Sequence, residues 1–133
     1  MGATMATLPL SKPDMYVLDE SAQMTGKQIV QSIVSLIGLK LTAYIAGAND
    51  VRTVEGWKQD GSLSGVALER LRLAYAIAKM LCDYDDPSIV QAWLMGMNTE
   101  LGDRAPIELL RENLPSKIEP DLWRAAKAFL AGA

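Results

Sequence analysis

Arg52, Thr53 and Lys58 follow a glycine-containing stretch, Gly47-Ala48-Asn49-Asp50, and are interleaved with Val51, Val54 and Trp57. If the segment from Val51 is helical, the three apolar residues share one side and the polar three, with Glu55, point elsewhere. The chemistry of such a surface is hydrogen bonding and ion pairing, not bond making. Arginine presents two donors at once to a guanine edge, and threonine donates or accepts at any base. Lysine neutralises phosphate. Arg52 and Thr53 are therefore candidates for base edges, with Lys58 and Lys40 as candidates for phosphates. Glu55 on the same face repels phosphate unless it accepts from cytosine. A short helix pair joined by a glycine turn is also a common packing unit in proteins that never touch DNA, so the local pattern leaves both readings open.

Residues that could make or break bonds are not arranged to do so. The chain has no histidine, which removes the commonest general base and, with a single cysteine, any familiar zinc site. Cys82 falls on the apolar face of a long predicted helix and reads as a small core residue; one thiol forms no internal disulfide. Asp83, Asp85, Asp86, Glu100, Asp103, Glu108 and Glu112 lack the glycine and terminal glutamate spacing of a calcium loop and read as solvated helix-end charges. Gly61-Ser62-Leu63-Ser64-Gly65 lacks the lysine and the strand context of a phosphate-binding loop. The expectation is a binding protein and not an enzyme, with no catalytic residues, no metal and no cofactor.

The elements that would position these residues are helices. Ile29, Val30, Ile33, Val34 and Ile37 recur at steps of three and four, predicting an amphipathic helix from Ser21 or Thr25 to a stop at Gly38. A second helix spans residues 41–46. Asp50 is placed to cap a third, since its side chain can accept backbone N–H bonds from the first turn. A long helix over residues 66–84 carries two apolar stripes, one with Leu71, Ala74, Tyr75 and Ala78, the other with Val66, Leu73, Ile77 and Met80, and is therefore buried on two sides. Pro87 or Ser88 opens a helix with Ile89, Val90, Trp93 and Leu94 inward. A loop over residues 96–104 leads to Pro106 and a short helix ending at Glu112. Pro120 is read as the start of the last helix, whose apolar face is Leu122, Trp123, Ala126, Phe129 and Leu130. Residues 1–20, with Pro9 and Pro13 and no sustained periodicity, read as a flexible arm, or as an arm that orders on a partner through residues such as Leu8, Leu10 and Leu18.

At 133 residues, half of them apolar, the chain is long enough for one domain or two small helical units sharing a core. No uninterrupted apolar run approaches the roughly 18 residues of a membrane span. There is no secretory signal pattern near the first residue, so a cytoplasmic location without a membrane partner is expected. The net charge of −3 is unfavourable for a nucleic-acid binder, but it is unevenly spread: residues 25–82 carry +3 and the remainder −6. So small a positive excess makes a homodimer, with doubled phosphate contacts, the more effective DNA binder.

The segment from Trp93 to Leu110 is more distinctive. Trp93-Leu94, Asn98, Leu101-Gly102, Arg104, Pro106 and Leu109-Leu110 match the order of a helix ending in Trp-Leu, then Asn, Leu-Gly, Arg, and Pro ahead of a hydrophobic helix. In this the chain resembles the Xre/MbcA/ParS antitoxin family, over roughly residue 38 to the C-terminus. It departs from the family pattern at Thr99, Asp103 and Ala105. The resemblance implies an all-helical, dimeric autorepressor that binds double-stranded DNA and neutralises a RES-domain toxin that consumes NAD. It also implies that the C-terminal part, here Trp123, Lys127, Phe129, Leu130 and Ala133, blocks the toxin's active site. The residues alone leave two roles open for the last helix: plugging a partner's pocket, or closing the core. Arg104 is likewise open between bracing its own loop and touching a partner.

The resulting expectation is an all-α fold: a flexible arm over residues 1–20, a helix-turn-helix unit over 21–65 and a small helical, toxin-binding-like unit over 66–133. The expected function is that of an antitoxin-type transcriptional regulator. The alternative is a protein-interaction or inhibitory module whose helix-turn-helix does not read DNA.

Overall fold

Thr25 starts the first long helix, α1 (Gly26–Ala46), through a reciprocal cap. Its hydroxyl accepts the Gln28 N–H at 3.1 Å, and the Gln28 side chain accepts the Thr25 N–H at 2.8 Å. The computed structural model describes residue 18 and residues 20–132, so most of the arm expected over residues 1–20 lies outside the described residues. Residues 20–23 form a helical turn ahead of the cap. Beyond α1 come α2 (Val51–Asp60), α3 (Gly65–Cys82), α4 (Pro87–Met95), a 3-10 turn (Thr99–Leu101), α5 (Pro106–Glu112) and α6 (Pro115–Leu130). The fold is all-α, and no strand occurs among the described residues.

The helix α1 is two helices meeting at a break. Gly38 sits at φ 89°, ψ 169°, a conformation essentially confined to glycine. The Thr42 hydroxyl donates to the Gly38 carbonyl at 2.7 Å, giving that acceptor a partner and the buried hydroxyl a use. On the near side of the break Ile29, Val30, Ile33 and Ile37 are buried; on the far side Thr42, Ala43, Ile45 and Ala46 are. By length and hydropathy α1 is apolar enough to cross a membrane, although no single uninterrupted run in it suggests so. Seven of its apolar residues are buried in the core, and Val34, Leu36, Leu39 and Leu41 are half-buried against it.

Helix α3 is the element the others cover. Leu73 through Ala78 are all buried, so its middle has no solvent side, one step beyond the two-sided burial expected of its two stripes. Helix α1 packs along it, and α6 packs on it from the C-terminal part. One continuous apolar core results, running from Ile29 through Leu71 and Leu81 to Trp123 and Ala126. It crosses residue 65 without a gap.

Three local expectations are corrected. Val66, placed in the second buried stripe of α3, is 37% exposed in the helix's first turn. Ile89 is not inward: it is 42% exposed, while Val90, Trp93 and Leu94 fill the core. The last helix begins at Pro115, not Pro120. Pro115 takes the first helical position, where its missing N–H costs nothing, and the register from there buries Ile118 together with Leu122 and Trp123. Pro120 then lies inside the helix on an exposed position, where its ring faces solvent.

The break at Gly38 predicts a backbone effect with no steric component, since a Cβ added there meets nothing within 4 Å. Gly38→Ala is expected to lower stability by about 1–3 kcal/mol, read as an earlier denaturant midpoint. A variant as stable as the wild type would contradict the glycine-only geometry.

Candidate nucleic-acid interface

The turn after α1 is closed by hydrogen bonds that glycine makes possible. Gly47 adopts φ 84°, its N–H bonds the Tyr44 carbonyl at 3.1 Å, and the Ala48 N–H reaches back to the Ala43 carbonyl at 2.9 Å. This paired closure is the Schellman motif, which ends a helix and redirects the chain at once. A Cβ on Gly47 would also lie 3.2 Å from the Arg70 guanidinium, so the turn packs closely on α3. Asp50 then caps α2 as its position suggests, accepting the Arg52 N–H at 2.8 Å. Val54 is fully buried, and Val51 and Trp57 are half-buried against the core. The far end of α2 is tied to α1 by the Gln31 side-chain amide, which donates to the Lys58 carbonyl at 3.0 Å.

This arrangement leaves the outer face of α2 with the expected residues. Arg52, Thr53 and Glu55 are exposed, Lys58 is half-buried and Lys40 is exposed on α1. Arg52 is not idle: its guanidinium donates to the second Asp50 oxygen at 2.7 and 3.1 Å. These bonds, with the backbone bond behind them, hold the Asp50 carboxyl below its ordinary value and raise that of Arg52. The Arg52 side chain is nonetheless 86% exposed. Water competes strongly for a pair so open, so the guanidinium can exchange Asp50 for another acceptor at little cost.

Beside the start of α2 lies an open groove of about 390 Å³, bounded by Lys40 and Tyr44 of α1, Asn49 and Asp50 of the turn, and Arg111 of α5. Arg111 lies over the Tyr44 ring, 4.7 Å from its centroid, and donates to the Tyr44 carbonyl at 2.8 Å. No sequence signal points to it, because it is 67 residues from Tyr44 and meets the turn only through the fold.

The segment from Trp93 to Pro106 is built as a braced loop. Asn98 caps the 3-10 turn through the Glu100 N–H at 2.9 Å, and its carbonyl accepts from Asp103 at 2.8 Å. The Asn98 N–H donates to the Arg104 carbonyl at 3.2 Å, pinching the loop shut. Leu101 is buried, and Gly102 and Asp103 take the left-handed conformation that turns the chain. Pro106 is buried at the first position of α5. Arg104 braces this loop through carboxylates, meeting Glu112 at 2.7 Å and Glu108 at 3.5 Å. Glu108 also accepts the Ala105 N–H at 2.9 Å, and this bond chiefly holds its carboxyl below the ordinary value.

The residues assigned to partner contact are divided. Trp123 is 5% exposed and belongs to the core. Lys127, Phe129 and Leu130 are half-buried, with the Phe129 ring 6.2 Å from that of Trp93 at 44°. Ala133 lies outside the described residues. The structure thus brings Arg52 and Thr53 together with the turn, keeps Lys58 at the opposite end of α2, and encloses Trp123. Cys82 is half-buried and burial pushes its thiol up, away from nucleophile character. Among the described residues, no cluster of three or more acidic or cysteine side chains could hold a metal ion.

No family model, curated protein or solved structure matches this chain.

The Glu108 cap gives a pH prediction with a defined sign. Its folded value is lowered, so its contribution is complete above the ordinary carboxylate value and is lost as pH falls through the lowered one. Glu108→Gln should be less stable than the wild type near neutral pH, with the gap closing below the carboxylate range in denaturation midpoints. A gap that is constant with pH would contradict the charged cap.

Proposed function

We propose that this protein is a DNA-binding transcriptional regulator of antitoxin type that acts as a homodimer. The observation that carries the reading is the start of α2: a glycine-closed turn, an aspartate cap, and Arg52 and Thr53 exposed in the first helical turn. A reading helix offers its N-terminal, outward residues to base edges, while neighbouring cations hold phosphates. Val54 buried beneath them supports the reading because it anchors the helix without occupying its outer face. The modest positive excess of residues 25–82 favours a dimer, which doubles the phosphate contacts.

The likeness of the Trp93-to-Leu110 segment to Xre/MbcA/ParS antitoxins extends the proposal to neutralisation of a RES-domain toxin that consumes NAD. In that role the half-buried Phe129, Leu130 and Lys127 are the contacts α6 offers, and Trp123 shapes the helix from inside. Expression from the chain's own promoter would be repressed, and the protein would work in the cytoplasm.

A second reading is a protein-interaction module that does not read DNA. It is favoured by the Arg52–Asp50 pair, which occupies the guanidinium, and by the exposed apolar side chains of Ile89, Met95 and Met97.

The two readings part in a binding experiment with duplex DNA from upstream of the gene. The proposal expects a salt-dependent mobility shift, and Arg52→Ala should weaken selective binding roughly ten- to a hundredfold. Selective binding untouched by both Arg52→Ala and Lys58→Ala would remove α2 as the reading surface. No affinity for DNA at low salt, with capture of a stable protein partner, would favour the second reading.

A further inference from the structure

We infer that the groove between α1, the turn and α5 seats a DNA backbone phosphate, and that Arg111, from the C-terminal half of the chain, is a phosphate-contact residue. The inference rests on the DNA reading of α2 and deepens it.

Three features of the groove support a phosphodiester occupant. The first is charge. Lys40 is exposed, and no carboxylate among the described residues forms an ion pair with it. The single acid at the rim, Asp50, has both oxygens engaged by Arg52. Two cations, Lys40 and Arg111, therefore outnumber the one acid lining the groove, whose Oδ1 stays on the Arg52 N–H when the guanidinium turns to a base, and Arg70 adds a third positive charge behind the turn, packed against Gly47.

The second is preorganisation. Stacking on Tyr44 and the bond to its carbonyl fix the Arg111 guanidinium in place, at the cost of only one of its five N–H donors. An arginine already immobilised loses little further freedom on binding, and a planar donor set suits a phosphate's paired oxygens.

The third is position. Asn49 and Asp50 at the rim immediately precede Arg52 and Thr53, so a strand whose bases meet α2 runs its backbone past the groove. Phosphate contacts of this kind set register and orientation without reading sequence. Helix α5 is thereby part of the DNA-binding surface, and the loop braced by Arg104, Glu108 and Glu112 positions Arg111 as well as itself.

The test is the salt dependence of full-length protein binding to two duplexes, the upstream DNA and an unrelated sequence of equal length. Arg111→Gln should weaken binding to both by a similar factor and should reduce the slope of log affinity against log salt by about 0.9 per subunit, one phosphate contact. Because Arg111 also bonds α1, Lys40→Gln is the second variant: Lys40 is exposed and its loss leaves the core intact, and it should reduce the slope likewise. Selective wild-type binding, with slopes unchanged in both variants, overturns the phosphate seat and leaves α2 as the reader. Failure of the wild type to bind either duplex at low salt overturns the DNA reading and the seat together.

Discussion

Leu73 through Ala78 leave the middle of α3 without a solvent-facing side, and the rest of the fold follows from covering it. A helix buried all round must be surrounded, so α1 and α6 pack on it from opposite ends of the chain and α4 and α5 close the remaining gaps. The small residues Ala74, Ala76 and Ala78 let neighbouring backbones approach, while Leu73, Ile77 and Leu81 fill the spaces between them. With α3 shared, the N-terminal helix pair and the C-terminal helices have one core between them.

The proposed binding surface depends on that shared core through the turn at residues 47–50. Gly47 provides the left-handed step, Arg70 of α3 lies against it, and Arg111 of α5 stacks on Tyr44 one turn earlier. Residues from three helices thus fix the angle at which α2 leaves α1. Val54 then pins α2 down, and only its outer residues remain for a ligand. The Asp50–Arg52 pair holds beside its helix the arginine that we propose as a base reader.

Much of this was legible in the residues because it obeys local backbone rules. Thr25 and Asp50 are caps, Gly38 and Gly47 end helical segments, and Pro87 and Pro106 open helices, each for reasons contained within a few residues. The exposure of Arg52 and Thr53 follows from the three-residue spacing of Val51, Val54 and Trp57. What could not be read is set by packing across the chain. Pro115 and Pro120 are equally good helix starters, and only the burial of Ile118 decides between them. Ile89 looks like a core residue by type, yet α4 is short and its register gives the inside to Val90, Trp93 and Leu94. Arg111 carries no motif at all; its place beside the turn is a product of tertiary folding, as is the enclosure of Trp123.

On the reading we propose, the first turn of α2 meets DNA. The most direct measurement is a residue-by-residue map of backbone amide shifts on adding upstream duplex DNA to the isotope-labelled protein at low salt. The largest changes are expected at Asn49 through Thr53, with lesser changes near Lys40 and Arg111. Shifts confined to α4 and α6, or none at saturating DNA, would contradict that reading.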